Sequence, residues 1–331
     1  MRLHHVLALV ATATAALAQD VHVKVDPHGS GSTASTTDYT SIQQALDHHP
    51  FAPAGYRVII SIVPGTYHER IIVTQNHNDI TLLGLGKGPE DVVITNSLNA
   101  KTAGGTFFTE TAEINGDAFE ADNLTFENSA GNTGQAVAVA ARSDRAVFKH
   151  CRFLGHQDTL FADYGRQYYL DSYIEGGVDF IFGNAAAVFD HTELHANGPG
   201  YLTAQSRTDA AQPTGYVITN SRVTTAIDAP APHNVTALGR PWRPYARVVF
   251  MNTELPAAMN PAGYTVWSRN DPEPPLAWYA EYNNSGPGAQ STQRPAWEHK
   301  LSAHEAAAFE PQNFLRGHDH WNPIAAAAKL P

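Results

Sequence analysis

Apolar residues along this chain come in short runs. Val21–Val25 alternates apolar and polar positions, the period-two pattern of a strand with one buried face. Arg57–Val63, Ile71–Val73, Ile80–Leu83 and Val92–Ile94 are further short apolar runs, broken by Gly, Pro or Asn. One segment departs from this habit. Between Asp38 and His49, residues Ile42, Ala45, Leu46 and His49 recur at helical spacing and predict one short helix, with Thr40 or Ser41 as its cap. The stretch before it, Gly29–Thr37, reads as a Gly/Ser/Thr loop. A lone helix ahead of a long β region suits the plug that a solenoid needs over its first coil.

From Asn123 onward a unit recurs in which a polar residue stands three positions before an apolar one. Asn123–Phe126, His150–Phe153, Asp171–Ile174, His191–Leu194, Asn220–Val223 and Asn252–Leu255 share this form. The apolar markers step by 27, 21, 20, 29 and 32 residues. A period of roughly 20–30 residues with strands and almost no helix predicts a parallel β-solenoid, the longer steps being coils that throw out loops. The alternative is a β-sandwich of irregular strands. Hairpin signals are scarce, and Asn115-Gly116 is one candidate. After Pro256 the chain is rich in Pro, Gly, Asn and Trp; Leu301–Phe309 predicts a short helix capped by Ser302, in a tail expected to pack along the outside of the coils.

Composition narrows the setting. Residues 1–18 carry Arg2, an apolar run from Val6 to Ala16 and a small-residue Ala16-Leu17-Ala18 site, and so read as a secretory signal peptide too short to span a membrane. The expected product is a secreted, extracellular, soluble single domain covering 19–331. The chain holds 21 Lys+Arg against 32 Asp+Glu, for a net charge of −11. Such a surface disfavours nucleic acid and also a polyanionic product, so a partly neutralised polymer suits it better. Cys151 is the only cysteine, so no intramolecular disulfide is available and stability must come from a core. Sequons at Asn123, Asn234 and Asn283 are candidate glycosylation sites, Asn123 being suspect because it lies in a strand pattern. A monomer is expected.

The chemistry concentrates in Gly155–Phe189. Asp158 lies in Gln157-Asp158-Thr159-Leu160, and Asp179 lies in Val178-Asp179-Phe180-Ile181-Phe182-Gly183, almost wholly among apolar neighbours. A buried carboxylate must be paired, hydrogen-bonded or raised in pKa. Gln135 to Gln157 is 22 residues and Asp158 to Asp179 is 21, one coil period, which predicts a single polar column over three coils. Neighbouring carboxylates would raise each other's pKa unless a cation fixes one as the anion, and Arg240 is a candidate for that cation. A purely structural ladder of Gln and Asp remains open at this point. The histidines are scattered and suggest no metal, and no Gly-x-Ser-x-Gly elbow is present.

Six segments carry a resemblance. Gly65-Thr-Tyr-His-Glu69, Gly134-Gln-Ala-Val-Ala138, Gly155-His-Gln-Asp-Thr-Leu160, Asp179-Phe-Ile-Phe-Gly183, Leu238-Gly-Arg-Pro-Trp242 and the late segment Tyr279–Gly288 follow in order. In these the chain resembles the pectin methylesterases, and its short acidic form looks microbial or fungal rather than like the long plant precursors. The resemblance implies a right-handed parallel β-helix and demethylation of galacturonate esters in pectin without a cofactor or metal. It implies Asp179 as nucleophile, Asp158 as acid and then base, Gln135 and Gln157 as oxyanion donors and Arg240 as the partner of Asp179. It further implies Trp242, Phe182, Phe161 and Val178 as substrate contacts. Two positions depart from the family pattern: His156 and Phe161 stand where Tyr is more common. Other readings are cleavage of the pectin chain, hydrolysis of a different ester and a non-catalytic wall-binding solenoid.

Overall fold

A computed structural model describes residues 20–29, 38–49, 55–226, 236–268 and 270–330. The proposed signal peptide, most of the Gly/Ser/Thr loop and Asn234 lie outside these residues. The described chain winds through three sheets of 12, 7 and 7 strands, with every strand pairing parallel. One coil shows the path. Ala146–Lys149 lies in the first sheet, Arg152–Leu154 in the second and Leu160–Tyr164 in the third; Arg166–Leu170 then returns to the first, beside Ala146–Lys149. This is a parallel β-helix, and the parallel pairing excludes the sandwich. Asn115-Gly116 makes no hairpin: it turns between sheets, where a Cβ on Gly116 would stand 2.1 Å from the His77 carbonyl.

The repeat read along the chain is the stacking register itself. Phe126 pairs with Phe153, Phe153 with Ile174, Ile174 with Leu194 and Leu194 with Val223. The polar residue three positions earlier has a backbone reason. Asn123, His150, Asp171, His191, Asn220 and Asn252 all sit at φ between 48° and 60°, the left-handed conformation that Asn, Asp and His tolerate better than most residues. Each coil turns from the first sheet into the second at this residue.

Inward side chains stack coil upon coil. The rings of Phe148, Tyr169 and Phe189 stack nearly parallel, 4.9 and 4.7 Å apart, which is the strand spacing of a sheet. The predicted N-terminal helix spans Ile42–His48, with Ser41 as its cap and Ile42, Ala45 and Leu46 buried; His49 is its C-cap rather than part of the buried face. Asp38 and Tyr39 form a strand instead of the first helical turn. Glu69, from the first of the family-like segments, accepts hydrogen bonds from Ser41 Oγ and from the backbone of Ile42 and Gln43. A carboxylate thus fastens the start of the plug, where the helix dipole favours negative charge.

At the other end Ser302 caps Ala303–Ala306 in a capping box with Glu305. Two more short helices, Pro311–Phe314 and Pro323–Ala327, follow. Their apolar residues, with Leu315 and Leu330, cover Val147, Tyr168, Val188, Val217 and Val249 on the outer face of the first sheet.

Candidate active site

The site lies on the outer face of the third sheet, where successive coils enter it from the second. Asp158 and Asp179 both have left-handed backbones, at φ 62° and 49°. Each lies at the bend just before its strand, Leu160–Tyr164 and Ile181–Gly183. These two strands pair, Leu160 with Ile181 and Phe161 with Phe182, so the carboxylates occupy equivalent places on adjacent coils. Gly183 ends the second of these strands at φ 119°, where a Cβ would stand 2.3 Å from the Ala162 carbonyl.

The single polar column divides into two. Gln135 pairs with Gln157, and Gln157 pairs with Val178. Asp158 and Asp179 stand in the next column, one residue along. The reason is register: the step between the glutamines is 22 residues but the next step is 21, so Val178 rather than Asp179 stands over Gln157. The result places amides beside carboxylates. Neither glutamine side chain makes a hydrogen bond among the described residues. The Gln135 backbone is held by Ala100 N–H at 2.8 Å, from a short helix, Ala100–Ala103, that Asn99 and Thr102 lock in a capping box.

Arg240 is 61 residues from Asp179 in the chain and two coils away in space. Ile181–Gly183 pairs with Gly200–Gln205, which pairs with Thr236–Gly239. Arg240 Nε donates to Asp179 Oδ1 at 2.9 Å and Nη2 donates to Oδ2 at 2.6 Å, a two-pronged fork. Its third nitrogen, Nη1, donates to the Trp267 carbonyl at 3.0 Å.

The two carboxyls are driven apart electrostatically. Burial pushes Asp158 up to about 8, the negative charge of Asp179 adds to the rise, and Arg240 opposes it. Asp179 is 5% exposed; burial raises it above the ordinary value too, and the hydrogen bonds and charge of Arg240 limit the rise. Burial thus favours the neutral form of Asp158, and the Arg240 fork favours the anion of Asp179.

Around them is a cleft of about 360 Å³ lined by Thr106, Phe107, Gln135, Gln157, Asp158, Asp179, Phe182, Ala204, Arg240, Trp242 and Trp267. Aromatic rings continue from one another along it. Phe107 to Phe161 is 5.0 Å, Phe161 to Phe182 is 4.5 Å, Phe182 to Trp242 is 6.0 Å and Trp242 to Trp267 is 6.3 Å. Phe161 is buried beneath this row, with Arg142 over its ring, rather than among the residues that line the cleft. Val178 is half-buried beside Gln157 and does not line the cleft either. His156 packs against Gly177 and shares a hydrogen bond with Asn197 at 2.9 Å. Thr106, Phe107, Ala204 and Trp267 were not legible as site residues. None belongs to the repeat or to a family-like segment, although exposed Phe107 after Gly104-Gly105 is an unusual place for an aromatic ring.

The family model for pectinesterase matches residues 30–318. The chain belongs to the pectinesterase family. It is 38% identical over 304 residues to pectinesterase 31 of Arabidopsis thaliana, covering 88% of this chain and 92% of that protein. A pectinesterase of Daucus carota is 37% identical over 307 residues, 89% of this chain and 93% of the relative. Among solved structures, the pectin methylesterase from carrot superposes with a TM-score of 0.81 at 34% identity, covering 92% of this chain and 96% of that one. The Aspergillus niger pectin methylesterase superposes with a TM-score of 0.75 at 33% identity, covering 85% and 90%. The pectinesterase fold seen here is accordingly the right-handed parallel β-helix, and the chain is a carboxylic ester hydrolase. Plant relatives of nearly the same length are matched throughout, so shortness does not separate a microbial form from a plant one. No helix among the described residues is long and apolar enough to cross a membrane.

Proposed function

We propose that this chain removes methyl groups from the galacturonate esters of pectin, with Asp179 and Asp158 dividing the chemistry. The observation that carries this reading is the pair itself: Asp179 is forked to Arg240, while Asp158 on the preceding coil is pushed up to about 8. Asp179 attacks the ester carbonyl carbon as the anion, and the electron pair moves to the carbonyl oxygen. Gln135 and Gln157 donate to that oxyanion as neutral amides. Collapse of the tetrahedral species breaks the bond to methoxide, which takes the proton of Asp158 and leaves as methanol. Asp158, now a base, removes a proton from water; the water attacks the acyl-enzyme carbon, Asp179 departs as carboxylate and the galacturonate is released as its acid. Arg240 stabilises Asp179 as anion at the start and end of the cycle.

Phe182, Trp242 and Trp267 offer ring faces to a sugar chain in the cleft. One related pectin methylesterase, 28% identical with a TM-score of 0.73, is described in complex with a hexasaccharide, and a polymer segment of that kind suits an open cleft on a sheet face. Phe161 supports the stacked row, and Val178 acts through the backbone of Gln157. The secretion signal at 1–18 and a single catalytic domain from residue 19 fit a polymer substrate outside the cell. Asn283 is exposed, its Nδ2 donating only to the Asn252 side chain, and stays a candidate glycan site. Asn123 is a poor one, because its Nδ2 already donates to the carbonyls of Gly84 and Gly86.

Methanol release from highly methylated pectin tests the reading. Wild type is expected to be active, and folded Asp179→Ala and Asp158→Asn are expected to lose at least about a thousandfold in kcat. Activity surviving in Asp179→Ala refutes the nucleophile assignment. A folded wild type releasing no methanol sends the search to other esters.

A further inference from the structure

Arg240 reaches Asp179 across an intervening coil, a span of about 10 Å at the spacing of parallel strands. An arginine side chain that long carries considerable rotamer freedom, and a fork delivers its two hydrogen bonds only if the guanidinium plane is held in line with the carboxylate. The coil in between carries Tyr201, on the strand Gly200–Gln205. The ring centroid of Tyr201 is 4.0 Å from the guanidinium carbon of Arg240, and that of Trp267 is 4.1 Å away. Trp267 makes its ring contact with Trp242 and not with Tyr201. Two rings so close to one carbon, yet apart from each other, lie on opposite faces of the guanidinium. The cation is thus held on both faces by π-systems and along its edge by Asp179 and the Trp267 carbonyl.

We infer that Tyr201 is a positioning residue of the reaction: its ring fixes the plane of the Arg240 guanidinium, and so holds the nucleophile in line. The inference rests on the assignment of Asp179 above. Trp267 has two attachments to Arg240 and also lines the cleft, so its loss would mix substrate contact with positioning. Tyr201 does not line the cleft, which makes it the cleaner position. The charged and titratable groups around the fork are Asp158 on the preceding coil, Arg240 itself, Tyr201 and the buried Tyr279. With the ring gone, a looser Arg240 stabilises the Asp179 anion less. The acid limb of kcat/KM then moves to higher pH.

The test compares Tyr201→Ala and Tyr201→Phe with wild type in pH profiles of methanol release from a short methylated oligogalacturonide. Tyr201→Ala is expected to lose about 3–30-fold in kcat with KM nearly unchanged, and its acid limb to rise by roughly half a unit to one unit. Tyr201→Phe keeps the ring and should stay within about twofold of wild type. If Tyr201→Ala folds poorly, Tyr201→Leu fills the space without a π face and replaces it. An acid limb that stays or falls overturns the inference, as does a Phe variant as impaired as Ala. Titration of the Asp179 carboxyl by ¹³C NMR in the free enzyme, its signal identified by its absence in Asp179→Asn, separates the two readings. If Asp179→Ala is active but Tyr201→Ala still raises that titration, the clamp stands and the nucleophile assignment fails.

Discussion

Asp158 shows how a single residue acquires its role from its surroundings. An ordinary aspartate titrates near 3.9; here burial and the neighbouring Asp179 anion push it up to about 8. In the proposed mechanism the protonated form is the general acid, so kcat/KM should decline as pH rises through about 8, with the limb absent from variants in which Asp158 is not the acid. The same shift has a consequence for stability. The folded state binds this proton more tightly than the unfolded chain does, so the stabilisation is full below about 4 and is lost as pH rises through about 8. Asp158→Asn cannot ionise, and should melt at least about 2 °C above wild type at pH 9, with the gap closing toward pH 5. A gap that widens toward acid contradicts the raised value. Both aspartates, both glutamines and Arg240 were legible from family-like segments. Tyr201 and Trp267 were not, because their effect is exerted through Arg240 and depends on which ring faces it.

The repeating bend is the element that the sequence announces most clearly. A polar residue recurs three positions before each marker because the backbone there has positive φ. At Asp171, φ is 48° and the side chain is 47% exposed, so backbone conformation dominates its contribution. Asp171→Gly should therefore be more stable than Asp171→Val by about 1–2 kcal/mol in urea unfolding, because a β-branched residue is strained at positive φ. The reverse order would mean that side-chain contacts select the residue. The same bend, moved to the next corner of the coil, presents Asp158 and Asp179. What spacing alone misjudged was the column: a one-residue difference in period is enough to move Asp179 beside Val178's column rather than into it, since register changes which residues face each other.

At the scale of the molecule, three sheets give a rigid rod whose two ends and one long face must be covered. The N-terminal helix plugs one end, and the tail covers the outer face of the first sheet. The tail is pinned by Arg166, which donates to Asp144 at 2.6 Å and to Asp319 at 2.9 Å and lies over the Trp321 ring. These contacts hold the carboxyls of Asp144 and Asp319 below the usual aspartate range. Asp319→Ala should loosen the tail and speed its removal by limited proteolysis beyond residue 300. Activity on a short methylated oligogalacturonide should stay within about twofold, because the cleft is on the third sheet. Unchanged protease resistance would show that the apolar contacts of Leu315, Phe314 and Leu330 suffice. The tail was expected on the outside, but its two later helices were not read, since each is a single turn begun by proline and too short to show a periodic apolar face.

Periodicity was enough to predict a solenoid of parallel strands with a helix at its start, and it put Gln135, Gln157, Asp158 and Asp179 on neighbouring coils. Arg240 and the grouping of all five into one site came from the resemblance to a family. The tertiary structure decided the rest. It placed the glutamines and aspartates in two columns, brought Arg240 across two coils to Asp179, and set Tyr201 and Trp267 on either face of the guanidinium. It also gave the two carboxyls different surroundings, because burial and the distance to one cation do not exist until the coils are stacked.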